Sequence, residues 1–244
     1  MTKLFISDLH LHQTRPEVTG LFQGFIGELL TTTKPNPELY ILGDLFEFWI
    51  GDDYEDPLYS EITNQLKNLV KSGIKTYLMH GNRDFLIGEN FLSKTGIELL
   101  KEPTIFSYKD KNIMLSHGDQ FCIDDIEYQA YRKIVRNREW QRSFLSFPID
   151  KRLNILNEAR DASIQSQEMK PNAIMDVNEN KVTDVIQKNN IDILIHGHTH
   201  RPRSHTIDIG TKQSVRLVLG DWSASSTKII KWVDAEPQLI DLIN

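Results

Sequence analysis

The sequence of 244 residues predicts one domain of the α/β class, spanning residues 1–244. Short apolar runs that are typical of buried strands alternate with amphipathic helices in the first half of the chain. Polar side chains follow each of these runs, and the chain after Pro202 is rich in β-forming residues. In α/β sheets, ligands bind outside the carboxyl ends of the strands, so these polar residues are expected to meet at one site.

Five apolar runs predict the buried strands, and they cover residues 3–7, 38–42, 74–79, 112–116 and 189–194. Apolar residues at helical spacing predict helices over 17–30 and 57–72, and Pro35 and Pro37 end the first of them. Alternating runs over 205–209, 215–219, 228–233 and 238–243 predict four antiparallel strands that close a second sheet.

The residues after the five strands are of the types that bind metal ions. They are Asp8 and His10, Asp44, Asn82, His117, and His198 and His200. The two members of each pair, Asp8 and His10 or His198 and His200, are two residues apart. In an extended segment such side chains face the same way. Carboxylate, amide and imidazole donors without a thiolate suit manganese, iron or zinc, and the pattern alone does not choose among them. The alternative for 195–202 alone is a polar loop that happens to be rich in histidine.

Composition excludes several classes of protein. The net charge of −6 argues against a general nucleic-acid binder. The single cysteine, Cys122, excludes an internal disulfide and a cysteine-rich zinc site, and its apolar surroundings argue against a nucleophilic role. The first residues lack an export signal and no apolar run has the roughly 20 residues of a membrane span, so a cytoplasmic protein is expected.

A helical, aromatic and basic segment at about 122–170 is predicted to be an insertion, with Phe147 and Pro148 dividing it into two helical stretches. Residues 131–152 hold two acidic residues, Glu139 and Asp150, and seven basic ones: Arg132, Lys133, Arg136, Arg138, Arg142, Lys151 and Arg152. Phe144, Leu145, Phe147 and Ile149 lie within this run. Basic and apolar residues together suit an anionic lipid surface, or a lid whose apolar side accepts acyl chains. The alternative is ordinary helix packing.

Five blocks in order carry a resemblance to a known family. They are D-x-H at Asp8, G-D at Gly43, G-N-x-D at Gly81, H-G at His117 and G-H-x-H at Gly197. This series resembles the calcineurin-like metallophosphoesterases. The resemblance implies a four-layer α/β fold, in which a two-sheet β-sandwich is flanked by helices. It also implies a dimetal site: Asp8, His10, Asp44 and His200 hold one metal, and Asp44, Asn82, His117 and His198 hold the other.

Three features point to one branch of this family: GDLFEFWIGDD at 43–53, arginine at position 83, and the insertion between HGD and GHTH. Together they resemble the branch that hydrolyses UDP-2,3-diacylglucosamine in lipid A biosynthesis. Membership implies manganese, water attack on the α-phosphorus, release of UMP and 2,3-diacylglucosamine 1-phosphate, and a peripheral location on the cytoplasmic face of the inner membrane. It also implies catalytic roles for Asp44, Asn82 and Arg83.

The same resemblance implies substrate contacts at Asn82, Arg83, Asp125, Ser163, Gln167, Lys170 and His198. Ser163, Gln167 and Lys170 are at positions i, i+4 and i+7, so a helix would place them on one face. Arg160 lies on the same stripe and is a further candidate for a phosphate contact. The alternative is a solvated polar helix face.

Arg83 suits a pyrophosphate substrate. A guanidinium stays protonated and is a poor acid, but it binds phosphate oxygens through two donors. A sugar-phosphate leaving group is already a stable anion and needs little protonation. The alternative for Arg83 is a surface salt bridge with Asp84.

The remaining histidines, His12, His80, His196 and His205, are interpreted as non-ligands, and Asp221 and Trp222 are expected at the rim of the site. Two rival functions stay open. One is another dimetal enzyme of the superfamily, such as a nucleotide pyrophosphatase, a phosphodiesterase, a phosphoprotein phosphatase or a DNA nuclease. The other is a non-catalytic scaffold that binds proteins, although such scaffolds usually lose metal ligands.

Overall fold

Two mixed sheets, seven α-helices and a short 3₁₀ helix (Asp119–Phe121) make up the regular structure of the described residues. The computed structural model describes residues 2–31, 36–169, 174–210, 212–233 and 236–243, with the backbone alone for 161–169. The strands are β1 (Lys3–Ile6), β2 (Glu38–Leu42), β3 (Lys75–Met79), β4 (Glu98–Leu100), β5 (Thr104–Tyr108), β6 (Lys111–Leu115), β7 (Ile193–His196), β8 (Arg203–Ile209), β9 (Lys212–Val218), β10 (Lys228–Trp232) and β11 (Gln238–Asp241). The helices are α1 (Pro16–Thr31), α2 (Pro57–Lys71), α3 (Glu89–Thr95), α4 (Ile126–Val135), α5 (Arg138–Leu145), α6 (Ile149–Met169) and α7 (Glu179–Lys188).

The first sheet has the order β11-β10-β1-β2-β3-β4 and the second has the order β5-β6-β7-β9-β8. Side chains alternate along each strand, so successive residues enter different cores. In β1, Leu4 and Ile6 pack in the core that includes α1 and α2, whereas Phe5 packs in the core shared by both sheets. In β7, Ile195 lies between the sheets and Leu194 packs toward α7. The predicted four-layer order of helix, sheet, sheet and helix is confirmed.

The prediction for the C-terminal strands is only partly correct. β8 and β9 belong to the second sheet, but β10 and β11 pair antiparallel at the edge of the first, beside β1. β9 also pairs parallel with β7, so the second sheet is not closed by antiparallel strands alone. Alternation predicts that a run forms a strand, but the sheet it joins depends on distant partners.

Two boundaries near the last motif also differ from the prediction. The strand predicted over 189–194 begins at Ile193 and ends at His196, and Asn189 is instead the C-cap residue of α7. The sequence interpretation missed α3, β4, β5 and α7, which are short or carry exposed faces.

The insertion contains three helices rather than two. α4 ends at Val135, and Asn137 begins α5 because its side chain accepts hydrogen bonds from the backbone N–H groups of Glu139 and Trp140. The break at Phe147 and Pro148 is confirmed, since α6 begins at Ile149. Among the described residues, no helix combines the length and apolar character needed to cross a membrane.

Candidate metal centre

Left-handed turns, rather than extended strands, carry most of the predicted metal ligands. β1 ends at Ile6 and β7 ends at His196, so the expectation of paired ligands on an extended segment is wrong. Five predicted ligands have a positive φ between 51° and 69°: Asp8, His10, Asp44, His198 and His200. A non-glycine residue in this conformation raises the free energy of the folded state by about 1–3 kcal/mol, and such residues occur most often at functional sites.

One group of donors joins the ends of β1 and β7. The Nε2 atoms of His10 and His200 are 3.3 Å apart, and His200 Nε2 is 3.5 Å from Asp8 Oδ1. The Asp8 carboxylate also accepts the backbone N–H of His198 at 3.0 and 3.1 Å. These side chains lie close enough to share one cation.

A second group of donors surrounds Asn82. Its Oδ1 atom is 2.8 Å from both His117 Nε2 and His198 Nδ1. Asp44 lies between the two groups, because its Oδ2 atom is 3.7 Å from His117 Nε2 and 3.9 Å from His10 Nε2. The structure therefore brings all seven predicted ligands together at the carboxyl ends of β1, β2, β3, β6 and β7.

Hydrogen bonds leave the right atoms available for cations. His117 Nδ1 is 2.9 Å from the carbonyl oxygen of Leu42, so Nδ1 donates to that carbonyl and Nε2 faces the site. Asp44 Oδ1 accepts the backbone N–H of Arg83 at 2.8 Å, while Oδ2 faces the two histidines. Nitrogen and oxygen donors without a thiolate fit divalent manganese, iron or zinc.

The electrostatics of the site favour bound positive charge. Burial opposes the ionisation of Asp8, but its hydrogen bond to His200 and the nearby His117 and His10 hold its pKa well below the usual range. Burial also opposes protonation of His117, yet Asp44, Asp8, Asp119 and Glu102 raise its pKa to about 9. The carboxylates thus hold a proton where a metal ion would supply the compensating charge.

Asp84 is not the partner of Arg83. It is fully buried and accepts the backbone N–H groups of Leu45 and Gly81, both at 2.8 Å. Burial and the nearby Asp44 raise its pKa to about 6. The salt-bridge alternative for Arg83 is therefore wrong, and Asp84 instead joins the loops after β2 and β3.

A cavity of about 680 Å³ opens beside the predicted ligands. Five predicted substrate residues line it: Asn82, Arg83, Asp125, Arg160 and His198. Its apolar lining includes Phe85, Leu86, Trp140, Phe144 and Leu156. The side chains of Ser163 and Gln167, and the whole of Lys170, lie outside the described residues.

The family model for calcineurin-like phosphoesterases matches residues 1–202, which is most of the chain. The chain belongs to this family.

Among curated relatives of this phosphoesterase, the UDP-2,3-diacylglucosamine hydrolase of Haemophilus influenzae (strain PittGG) is 44% identical over 227 residues, covering 93% of each chain. The UDP-2,3-diacylglucosamine hydrolase of Proteus mirabilis is 44% identical over 222 residues, covering 91% of each. A solved structure described as a novel archaeal phosphodiesterase aligns with a TM-score of 0.50 and 12% identity, covering 99% of this chain and 100% of that one. This last match supports the fold alone.

Three of the seven basic residues in the insertion face protein groups, so the expectation that they belong to a lipid-facing surface is wrong. Arg152 is buried, and its guanidinium donates to the carbonyl oxygen of Ile50 and to the Asp53 carboxylate. Arg132 pairs with Asp119, and Arg136 donates to the carbonyl oxygen of Gly81. Their partners are distant in sequence, so charge spacing alone could not identify them.

Glu47 is a site residue that the sequence interpretation missed. Its Oε2 atom is 3.3 Å from His10 Nδ1, and its Oε1 atom is 3.3 Å from Arg160 Nη2. Burial opposes its ionisation, but the contact with His10 and the charges of Arg83 and Arg160 lower its pKa to about 2. Its place three residues after Asp44, in GDLFE, was the available signal.

Two of the histidines interpreted as non-ligands form hydrogen bonds with backbone carbonyl oxygens. His80 Nε2 is 2.8 Å from the Ile87 oxygen, and His196 Nδ1 is 2.9 Å from the Gly197 oxygen. Burial lowers their pKa values to about 4 and about 3, respectively, so both rings are neutral near pH 7. Of the other two, His12 Nδ1 is 2.8 Å from the Thr14 hydroxyl oxygen, and His205 is in β8.

Asp221, Trp222 and Cys122 have different surroundings. Asp221 Oδ1 is 4.0 Å from His200 Nδ1, which agrees with a place at the rim. Trp222 is instead fully buried against Phe22 and Phe25, so its expected place at the rim is wrong. Burial and nearby carboxylates raise the pKa of Cys122 to about 12, which agrees with a non-nucleophilic thiol.

Proposed function

We propose that this phosphoesterase hydrolyses the pyrophosphate bond of UDP-2,3-diacylglucosamine to UMP and 2,3-diacylglucosamine 1-phosphate, a reaction of lipid A biosynthesis. The observation that carries the proposal is the match to the curated relatives with that name, over more than nine-tenths of each chain. The chain's own geometry supports it, because a cavity lined by apolar side chains and by Arg83 and Arg160 adjoins the predicted metal ligands.

The metal centre takes two divalent ions in this proposal, most suitably Mn²⁺. Asp8, His10, Asp44 and His200 would hold one ion. Asp44, Asn82, His117 and His198 would hold the other, with Asp44 shared between them. Two such ions supply a nucleophile at neutral pH and neutralise charge on the phosphate oxygens. The support is the placement of Asp44 Oδ2 within 4 Å of a histidine from each group.

Arg83 and Arg160 bind phosphate oxygens of the substrate in this account. Both line the cavity, and the charges of both lower the pKa of Glu47, the carboxylate that contacts His10. A guanidinium remains protonated and can hold a phosphate through two donors. The leaving sugar phosphate is a stable anion, so water attack on the α-phosphorus needs no strong acid at the leaving oxygen. Asp125 and His198 are further substrate contacts in this account, and Ser163, Gln167 and Lys170 remain proposed contacts.

The acyl chains occupy the apolar part of the cavity. Its walls include Phe85 and Leu86 from the loop after β3, and Trp140, Phe144 and Leu156 from α5 and α6. Burying a methylene group there contributes about 0.8 kcal/mol. The insertion at about 122–170 would then act as the lid over the lipid part of the substrate.

The Arg83→Ala variant should lower kcat/KM for UDP-2,3-diacylglucosamine by about 100-fold, because one charge-assisted contact worth roughly 1.5–3 kcal/mol is lost at the phosphate. Both Mn²⁺ ions should stay bound, since Asp44 accepts the backbone N–H of residue 83 and alanine keeps that group. UMP release and Mn²⁺ content by mass spectrometry measure the two effects. Loss of metal in this variant would contradict the phosphate role.

The outer surface of the insertion supports peripheral attachment to the cytoplasmic face of the inner membrane. Ile126 and Ile134 on α4 are 78% and 54% exposed. Arg138, Arg142 and Lys151 are also exposed and follow within the next two helices. Exposed apolar and basic side chains together bind anionic lipid headgroups.

Neutralising Arg138, Arg142 and Lys151 to glutamine should weaken binding to phosphatidylglycerol vesicles by about 100-fold at low salt, at about 1 kcal/mol per charge. Vesicle co-sedimentation measures the change. The matched control replaces Lys71, Lys94 and Lys101, three exposed lysines outside the insertion, and should bind as the wild type does. Equal losses in both variants would mean that net charge, rather than this surface, drives binding.

A further inference from the structure

The first helix of the insertion is bound to the loops that carry the metal ligands. We propose that Arg132 of α4, together with Asp119, positions His117 and Asn82 in the metal centre. α4 would then be a fixed part of that centre rather than a moving part of a lid. The inference rests on the proposed function only in that it takes His117 and Asn82 as metal ligands.

Three polar side chains, two from α4 and one from its C-cap residue, converge on Asp119. Tyr128, Arg132 and Arg136 are four residues apart, so they lie on the same stripe of the helix. The Tyr128 hydroxyl donates to Asp119 Oδ2 at 2.8 Å, and Arg132 Nε donates to the same atom at 2.7 Å. Arg136 Nη2 is 3.8 Å away from it. Asp119 is fully buried, so this carboxylate depends on its α4 partners.

Arg132 also contacts Glu102, whose carboxylate binds the backbone of His117. Its Nη2 atom is 3.3 Å from Glu102 Oε2. Glu102 Oε1 in turn accepts the backbone N–H of His117 at 2.7 Å and the hydroxyl of Ser116 at 2.8 Å. One guanidinium therefore joins Asp119, two residues after His117, to the carboxylate that receives the His117 backbone.

Arg136 makes the corresponding contact with the Asn82 loop. Its Nη2 atom donates to the carbonyl oxygen of Gly81 at 2.9 Å, and its guanidinium lies 5.5 Å from the Phe85 ring centre. Asn82 Oδ1 then contacts both His117 Nε2 and His198 Nδ1. Arg132 and Arg136 are four residues apart on one helical turn. Their spacing thus helps to fix the distance between the loop that carries His117 and the loop that carries Asn82.

The inference and a pure lid role predict different kinetics. If the insertion only covers the lipid, a change at Arg132 would raise KM for the glycolipid and leave a small diester unaffected. If Arg132 positions the ligands, the same change lowers kcat for both substrates and weakens Mn²⁺ binding. Groups that orient metal ligands typically affect metal affinity or activity by about 10–100-fold.

The test compares Arg132→Met with Lys133→Met, an exposed neighbour on the same helix. Calorimetry with Mn²⁺ should show affinity about 10–100-fold weaker for Arg132→Met and unchanged for Lys133→Met. kcat for bis(p-nitrophenyl) phosphate should fall in parallel with kcat for UDP-2,3-diacylglucosamine. Arg132→Lys should recover only part of the loss, because one ammonium group does not span both carboxylates as the guanidinium does.

Wild-type Mn²⁺ affinity and diester turnover in Arg132→Met, with only KM for the glycolipid raised, would overturn the inference. Where Arg132→Met does not fold, Arg132→Lys replaces it, because it keeps the charge but cannot span both carboxylates. A wild-type Mn²⁺ affinity in Arg132→Lys would then overturn the inference. A wild-type protein that binds no Mn²⁺ would instead refute the proposed metal centre itself.

Discussion

The Asp44→Asn variant is expected to lose at least about 100-fold of its turnover and to retain fewer than two Mn²⁺ ions per chain. Asp44 Oδ2 lies 3.7 Å from His117 Nε2 and 3.9 Å from His10 Nε2, so this oxygen adjoins both groups of donors. Asparagine has nearly the same shape, but it removes the negative charge. It also places N–H groups or a neutral oxygen where two cations would share a carboxylate.

Metal content by mass spectrometry and UMP release measure this change together. Asp208→Asn is the matched control, since Asp208 is an exposed carboxylate of β8 that donates nothing to the site. The control should keep wild-type metal content and turnover. An Asp44→Asn variant that retained two ions and full activity would contradict the shared-ligand role.

The Gly81→Ala variant is expected to lose both stability and metal. A Cβ atom at Gly81 would collide with the backbone nitrogen and carboxylate of Asp44, and would lie 2.8 Å from its Cγ. The backbone of Asp44 cannot simply rotate away, and it is held in a left-handed turn. Overpacking of this kind costs about 1–3 kcal/mol, and the displaced carboxylate would no longer serve the two ions.

Thermal unfolding with and without Mn²⁺ measures both consequences. The wild type should melt at a higher temperature with Mn²⁺ than with EDTA, because a ligand that binds only the native state stabilises it. Gly81→Ala should melt lower and gain little from Mn²⁺. The control is Gly24→Ala in α1, where nothing lies within 4 Å of the new Cβ and the helix gains up to about 1 kcal/mol. A wild-type response to Mn²⁺ in Gly81→Ala would refute this reasoning.

The metal-ligand residues could be predicted because their signal is local. Each of the five apolar runs is followed within a few residues by a side chain of a type that can bind metal ions, and the sheet order brings those ends together. The expectation that each pair, at Asp8 and at His198, faces one way on an extended segment is nevertheless wrong. The ligands lie in left-handed turns beyond the strands, and turn conformation at non-glycine residues has little sequence signal.

The function of the charged residues in the insertion could not be predicted in the same way. Arg132 and Arg152 resemble surface cations in the sequence, but their partners Asp119 and Asp53 come from other elements. Tyr128, Arg132 and Arg136 did have a detectable periodicity, four residues apart. That spacing shows a shared helix face, but it does not show whether the face meets lipid, solvent or the metal-ligand loops.

The most direct test of the proposed function is hydrolysis of UDP-2,3-diacylglucosamine in ¹⁸O-labelled water, with Mn²⁺ or EDTA, beside bis(p-nitrophenyl) phosphate. The proposal predicts Mn²⁺-dependent release of UMP that carries the ¹⁸O label, with measurable but much slower turnover of the generic diester. Label in the lipid phosphate would place water attack on the other phosphorus. Turnover of the diester alone would retain a dimetal phosphodiesterase and contradict the glycolipid substrate.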